Sequence, residues 1–549
     1  MPPPSYPPAT IADLFLARAD DDNPGVRTED RTWTWREVVA ESAQRAALLA
    51  ELRTDRPFHI GVLLENVAEY VFLLGGAALA GGVVVGINPT RRGAELARDI
   101  RHTDCQVIFT DRSQLPLIDG LDVGPVVLID EDYGALLDVH QGAPVPPRLP
   151  SEDDLYLLLF TSGSTGAPKA VRMTQGRAAR TVASSARAFG PDDVLYCAMP
   201  LFHGNALLAN LFPALTAGAS VVLRRRFSAT GFLPDIQRYG CTFFNYVGRA
   251  LSYIVATPES LTERDNQLKW ALGSEASPRD IAEFTRRFGC PIFEGYGSSE
   301  NAVILLPAAT MPANAMGRPP RGLDVAILDP DTERECAVAQ FAPGGALVNP
   351  GDAIGEIVGR NSVAKFEGYY NNPEADAQRA RHGWYWSGDL GYRDAEGWIY
   401  FAGRSADWLR VDGENFSSAP IERILARHPG VSGVAVYAAP DSVTGDQVMA
   451  AVEMKSGSDF DPDQFAAFLA DQPDLGTKWS PRYVRIVASI PVTATRKVDK
   501  QPLRAARWDT EDPVWWRGSS GGAYRLMTAD DRTALAAEFS ANGRESALT

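Results

Sequence analysis

The chain has 549 residues, enough for more than one domain, and its 45% hydrophobic content is that of a folded globular protein. Its 69 acidic residues outnumber 53 basic ones, for a net charge of −16 without long like-charge runs, which argues against nucleic acid as the main partner. Five widely spaced cysteines (Cys105, Cys197, Cys241, Cys290, Cys336) suit a reducing cytoplasm better than a disulfide framework, and neither they nor the six scattered histidines show metal-type spacing.

The chain opens with a proline-rich stretch, Met1 to Thr10, that lacks the charged-then-apolar pattern of a signal peptide. Ile60–Leu64 reads as a strand. Val71 to Ile87 is wholly apolar or glycine, but five glycines interrupt it and it falls just short of a membrane span. The pattern predicts a buried helix over about Val67 to Ala80 and a strand over Val83 to Ile87. Further strands are expected at Gln106–Phe109, Val126–Ile129 and Ala219–Leu223, with helical spacers between many of them. That alternation predicts an α/β fold.

Leu155 to Phe160 reads as a buried strand, and behind it comes Thr161-Ser162-Gly163-Ser164-Thr165-Gly166-Ala167-Pro168-Lys169. Glycines let backbone N–H groups turn toward an anion, hydroxyls add donors, and Lys169 adds charge. A flexible surface loop has the same composition. The segment is not a Walker A site: Lys169 follows Pro168 and precedes Ala170, and Val171 and Met173 alternate like a second strand. The expectation is a strand–loop–strand cradle for a nucleotide polyphosphate.

Trp398–Phe401 is strand-like, after a turn-rich zone from Asp329 to Asp352. Beyond about Arg404 the character changes. Ser418 is placed to cap a helix with Pro420 in its first turn and Ile421, Ile424 and Leu425 on one face; His428-Pro429-Gly430 ends it. Strands are predicted at Val434–Tyr437 and Val448–Met454, giving a small α+β domain over about 408 to 510. Met527 to Ser540 reads as an amphipathic helix, and the last residues are expected to fray.

Four more segments carry chemistry: Glu294-Gly295-Tyr296-Gly297-Ser298-Ser299-Glu300; Trp386-Ser387-Gly388-Asp389-Leu390-Gly391, read as a carboxylate on a tight turn; Gly403-Arg404; and Pro491-Val492-Thr493-Ala494-Thr495-Arg496-Lys497. With the Gly/Ser/Thr loop, in this order, the set resembles the adenylate-forming superfamily of acyl-CoA synthetases, luciferases and adenylation domains. Asn245-Tyr246-Val247-Gly248-Arg249-Ala250-Leu251-Ser252-Tyr253 is similar to the fatty-acid-transport-protein and very-long-chain and steroid-acid acyl-CoA synthetase branch. Asp412-Gly413-Glu414-Asn415 and Arg496-Lys497 depart from the commoner superfamily pattern and fit this branch better.

The resemblance implies a large N-terminal ATP- and acyl-binding domain (1–403), a hinge (404–407) pivoting at Ala406 or Asp407, and a mobile α+β C-terminal domain with a tail (408–549). It implies ATP, Mg²⁺ and CoA as cofactor and co-substrates. Thr161, Ser162, Gly163, Ser164, Thr165, Gly166 and Lys169 would wrap the β- and γ-phosphates. Gly273, Ser274 and Glu275 would lie along the adenine, Tyr296 with Gly297 would stack on it, and Ser299 would bond the α-phosphate. Glu300 would hold the metal, Asp389 would accept the ribose hydroxyls, and Arg404 would contact ribose or phosphate. Lys497, Glu300 and Thr165 are the candidate catalytic residues, with Lys500 a rival to Lys497. His203, Tyr246 and Gly248 would face the acyl group, and Gly413, Glu414 and Asn415 the pantetheine arm.

The implied activity is ATP-dependent synthesis of an acyl-CoA from a hydrophobic carboxylic acid, a long-chain fatty acid or a steroid side-chain acid. The alternatives are a ligase that loads a carrier protein and a membrane-associated lipid-uptake protein. A cytoplasmic enzyme is expected, with no integral membrane span; peripheral membrane contact and oligomeric state stay open.

Overall fold

The computed structural model describes residues 8–54, 57–161, 169–247, 250–274, 276, 278–308, 310–312, 315–330, 332–341, 347–404, 408–412, 414–473, 475–491, 500–518 and 521–548. Two largely parallel sheets dominate the first 300 residues. One has six strands in the order Val126–Leu128, Val107–Thr110, Phe58–Leu63, Gly82–Gly86, Leu155–Thr161 and Lys169–Thr174. All pairings are parallel except the last, where Leu155–Thr161 turns back antiparallel on Lys169–Thr174. The other has seven, in the order Ile292–Glu294, Trp270–Gly273, Phe243–Asn245, Val194–Cys197, Ser220–Leu223, Pro24–Arg27 and Thr32–Thr34, and again only the final pairing is antiparallel. The expected α/β class holds, and the predicted strands fall within one or two residues of their places.

The apolar stretch that mimics a membrane span is a core helix and strand. Ala68–Ala80 is helical, ends on left-handed Gly81, and leads directly into Gly82–Gly86. It packs against the long helix Trp35–Leu52, whose start Thr34 and Glu37 secure with a capping box. Gly75 sits at the crossing, where an added Cβ would lie 2.1 Å from Ser42 Oγ. Glycine there lets the two backbones approach, and the buried leucines and valines join one contiguous core. Among the described residues no helix is long and apolar enough to cross a membrane.

An antiparallel sheet follows, in the order Ala315–Gly317, Ile399–Arg404, Trp384–Arg393, Gly355–Gly359 and Val325–Leu328, with Ala380–Arg381 alongside Trp384–Arg393. Here one expectation is corrected. Trp386 to Gly391 is not a tight turn but the middle of the ten-residue strand Trp384–Arg393, bulged between Leu390 and Gly391.

The C-terminal part is built on a five-stranded sheet, Val431–Pro440, Asp446–Met454, Tyr483–Val487, Val514–Gly518 and Gly521–Leu526. The last two strands extend the small α+β unit beyond the expected limit near 510. The helix Ser418–Leu425 takes Ser418 as its first residue rather than its cap, and the Ser418 hydroxyl accepts from Lys500 Nζ at 2.8 Å. The predicted last helix is Ala529–Ala541, started by a Thr528–Asp531 capping box. The final residues do not fray as expected: Glu545–Leu548 forms a 3₁₀ turn, and the Arg507 guanidinium donates to the carbonyls of Ala547 and Leu548.

Candidate active site

Segments that leave the carboxyl ends of strands in both sheets meet where Asn66 Nδ2 donates to the Met199 carbonyl at 2.8 Å; such ends are where α/β proteins bind ligands. Leu155–Thr161 carries Thr161 at such an end. Thr161 is paired with Lys169 across the hairpin, and its hydroxyl donates to the Lys169 carbonyl at 3.4 Å. The residues between, Ser162, Gly163, Ser164, Thr165 and Gly166 among them, lie outside the described residues.

Lys169 is buried, with Nζ 5.5 Å from the centre of the Tyr369 ring. Burial and the Arg379 guanidinium bring its ammonium down to about 8, against the opposing pull of Glu300. Glu300 is buried beside it and accepts from the Tyr369 hydroxyl at 2.6 Å. Burial alone would raise this carboxyl. The Arg379 guanidinium, with bonds from the Tyr369 and Ser298 hydroxyls, outweighs it and holds the group below the ordinary glutamate value.

Arg379 is itself fixed: Nε lies 3.3 Å from Tyr369 Oη and Nη1 donates to the Trp386 carbonyl at 3.2 Å. Buried Arg177 donates to the Glu300 backbone carbonyl. Arg177 also lies 3.9 Å from Glu367, so the cluster gathers three cations, Lys169, Arg177 and Arg379, around two carboxylates, Glu300 and Glu367, with the Tyr369 hydroxyl on Glu300. Isolated, such an excess of positive charge is costly; facing a polyphosphate it becomes complementary.

The bulged strand supplies the next group. Gly388 has φ +76°, and an added Cβ there would lie 2.3 Å from Arg379 Nη1. Its N–H donates to Glu356 Oε1 at 2.7 Å. This kink turns Asp389 to receive the Tyr296 hydroxyl at 2.6 Å, while its own N–H bonds Ser387 Oγ at 3.1 Å. The aromatic ring expected at adenine and the carboxylate expected at ribose are therefore in direct contact. Burial, followed by the Asp389 charge, pushes the Tyr296 phenol well above its ordinary value, so it stays a neutral donor. Arg404 stands opposite Asp389 in strand register. Gly297 pairs with Ile304 in the short ribbon that leads to Ser299 and Glu300.

Gly273 ends its strand under the Tyr246 ring; an added Cβ would lie 2.0 Å from Tyr246 Cζ. The Tyr246 hydroxyl donates to Glu294 Oε1 at 3.2 Å, and the same oxygen accepts the Ala276 N–H at 2.8 Å. Burial pushes the Glu294 carboxyl up to about 7, although both bonds oppose the shift. Ser274 continues from Gly273 and is partly buried; Glu275 and Gly248 lie outside the described residues. His203 precedes the short helix Gly204–Ala206, its ring 4.3 Å from that of Phe202. An added Cβ at Gly204 would lie 3.6 Å from Ser299 Oγ, which puts this turn against the Tyr296–Glu300 segment.

In the C-terminal part, Glu414 and Asn415 lie on the strand Glu414–Ser417, paired with Trp408–Val411. Asp412 sits at the turn between them with φ +50° and accepts from the Tyr253 hydroxyl at 3.4 Å. Arg91 stacks over Trp479 at 5.9 Å. Both contacts join the C-terminal part to the N-terminal sheets. Gly413, Lys497 and the hinge residues Ser405, Ala406 and Asp407 lie outside the described residues. Lys500, the rival to Lys497, is engaged with Ser418 and with Glu422 at 2.8 Å.

Sequence reasoning missed Tyr369, Arg379, Arg177 and Glu294. Tyr369 lies just before the helix Pro373–Arg379, which Asn372 caps, and Arg379 ends it; the segment carries no local motif that marks either residue.

Residues 16–370 match the family described as AMP-binding enzyme, and residues 420–497 match the AMP-binding enzyme C-terminal domain. Among curated relatives, the steroid-22-oyl-CoA synthetase of Rhodococcus jostii is 52% identical over 546 residues, 98% of each chain. The medium/long-chain-fatty-acid–CoA ligase FadD17 of Mycobacterium tuberculosis is 44% identical over 515 residues, covering 93% of this chain and 99% of its own length. Among solved structures, the amide bond synthetase McbA of Marinactinospora thermotolerans superposes with a TM-score of 0.75 at 26% identity, covering 91% of this chain and 99% of McbA.

Proposed function

The chain belongs to the AMP-binding enzyme family, and on that premise we propose that it is an ATP-dependent acyl-CoA synthetase for a bulky hydrophobic carboxylic acid. Two near-full-length relatives carry names of this activity, one acting on a steroid acid and one on fatty acids. The higher identity of the steroid-acid relative orders a steroid side-chain carboxylate ahead of a long-chain fatty acid.

The observation that carries the nucleotide half of the reading is the Tyr296–Asp389 bond beside the Glu300, Lys169 and Arg379 cluster. An aromatic ring that would face adenine, a carboxylate that would accept ribose hydroxyls and a cationic cluster that would take phosphates support one nucleotide site. A carboxylate is a poor acyl donor. In the first half-reaction its oxygen would attack the α-phosphorus of ATP, breaking the bond to the β-phosphate and releasing pyrophosphate. Lys169, Arg379 and the Ser162–Gly166 amides would balance the charge of that leaving group, and Ser299 would hold the α-phosphate. Lys497 would approach from the C-terminal part to offset charge between carboxylate and phosphorus.

In the second half-reaction the CoA thiolate would attack the acyl carbon. The acyl C–O bond breaks and AMP departs with the electron pair. Gly413, Glu414 and Asn415 would guide the pantetheine arm. The contact between Asp412 and Tyr253 supports this placement, because it holds their turn against the large domain. The C-terminal unit would pivot at 404–407 between the two steps.

Magnesium fits the donor set at Glu300: one ionised carboxylate, held by hydroxyls and flanked by Ser299, suits a hard cation that takes its other ligands from phosphates and water. When bound it would neutralise polyphosphate charge. The test is a panel of steroid side-chain acids, fatty acids and acetate, assayed for AMP and thioester with CoA present. Preference for a bulky hydrophobic acid supports the reading; preference for acetate refutes it.

A further inference from the structure

Three asparagines form a hydrogen-bonded line from the core to the exposed Asn205. Asn210 is fully buried and donates through Nδ2 both to the Tyr196 carbonyl at 3.0 Å and to Asn245 Oδ1 at 2.7 Å. Asn245, buried at the end of the strand Phe243–Asn245, donates in turn through Nδ2 to Asn205 Oδ1 at 2.7 Å. Asn205 is exposed and follows Gly204, the residue set against Ser299.

The direction of this line is determined by chemistry. A backbone carbonyl can only accept, so Asn210 must turn its NH₂ toward Tyr196. That NH₂ also meets Asn245, which must offer its oxygen there and its NH₂ to Asn205. Asn205 must then offer its oxygen inward, and its own NH₂ is left pointing outward. Among the described residues that NH₂ donates to nothing.

The arrangement has a cost. Among the described residues Asn210 Oδ1 is buried without a partner, which is destabilising in an interior. The residues that carry it, Leu207–Leu211, form a π-helical turn inside an otherwise α-helical run, a distortion common at functional sites. An outward-facing donor held by a buried relay at the carboxyl end of a parallel strand is suited to a ligand oxygen.

We propose that Asn205 is a substrate-binding residue whose amide N–H donates to a carbonyl or carboxylate oxygen of a bound reactant, with Asn245 and Asn210 as its positioning residues. This rests on the acyl-CoA synthetase reading, which supplies two such oxygens: the acid's carboxyl group, and the amide carbonyls of the CoA arm.

The test uses the full chain and two variants. Asn205→Asp keeps the oxygen that Asn245 needs but cannot donate at neutral pH, so a structural role tolerates it and a donor role does not. Asn205→Ala removes both functions. KM for the acid is measured by pyrophosphate exchange, and KM for CoA by thioester formation from synthetic acyl-adenylate. The expected result is a rise of about tenfold or more in one of the two KM values for both variants, larger for Asn205→Asp, with an unchanged melting temperature. A rise confined to the acid assigns the carboxyl oxygen; a rise confined to CoA assigns its amide. Asn205→Asp within twofold of wild type for both reactants overturns the proposal while leaving the synthetase reading intact. If wild type turns over no acid, calorimetry with CoA and with an acyl-sulfamoyl adenosine decides the matter. Loss of binding in Asn205→Asp supports the contact, and binding of neither by wild type overturns both readings.

Discussion

Replacing Glu300 with glutamine removes the negative charge in the phosphate cluster and little else. Glutamine is isosteric and still accepts from the Tyr369 hydroxyl, so the 2.6 Å bond has a replacement partner. Arg379 keeps its contacts to Tyr369 Oη and the Trp386 carbonyl. Glutamine cannot offset the Arg379 and Lys169 charges, so the stability cost should approach the roughly 3–5 kcal/mol of removing one partner of a buried ion pair. The catalytic cost is separate. Loss of one preorganised electrostatic group at a transition state slows a reaction by roughly 10²–10³-fold, or about 2.7–4 kcal/mol. The assay is acid-dependent pyrophosphate exchange across a magnesium titration, with melting temperature measured in parallel. The expected pattern is a deep loss of exchange, a shift of the half-saturating magnesium concentration upward, and a folded protein. Exchange within threefold of wild type at unchanged magnesium dependence would refute the placement of Glu300 at the reacting phosphates.

Lys169, with its ammonium lowered to about 8, should impose an alkaline limb on kcat/KM for ATP, because the charge that binds the polyphosphate is lost as pH rises through that value; Lys169→Arg should move the limb to higher pH. Glu294, raised to about 7, stays protonated in the fold where the unfolded chain has ionised, so its contribution to stability is complete below the unfolded value near 4.5 and is lost as pH rises toward 7. Thermal denaturation at pH 4.5 to 7.5 should show Glu294→Gln losing up to about 3 kcal/mol less across that window than wild type; parallel curves would remove the carboxyl from its buried site. Lys497→Ala should slow adenylation by roughly 10²–10³-fold and spare thioester formation from synthetic acyl-adenylate, and equal loss of both half-reactions in a folded variant would count against two alternating domain positions.

Much of the site could be read from the sequence because its groups lie at strand ends with local signatures. The alternation of Val171 and Met173 marked the hairpin that carries Thr161 and Lys169, and the small residues around Tyr296 marked the segment that meets Asp389. What could not be read depended on distant pairing. Tyr369 and Arg379 act on Glu300 only because the segment between the strands Gly355–Gly359 and Trp384–Arg393 folds back over it, and nothing local in their sequence says so. Asp389 was assigned a turn because glycines flank it; the pairing of Trp384–Arg393 on both edges made it a bulged strand instead. The limit near 510 failed because Val514–Gly518 and Gly521–Leu526 are short and aromatic, and their place in the sheet is set by Tyr483–Val487 rather than by their own pattern.

The central claim is that the acid is activated as an acyl-adenylate before thioester formation. The most direct measurement uses a steroid side-chain acid with both carboxylate oxygens labelled with ¹⁸O, incubated with ATP, magnesium and CoA, followed by mass spectrometry of the products. Attack of the carboxylate on the α-phosphorus predicts one ¹⁸O in AMP and one retained in the thioester. Unlabelled AMP, or ¹⁸O appearing in orthophosphate with ADP as the nucleotide product, would contradict it.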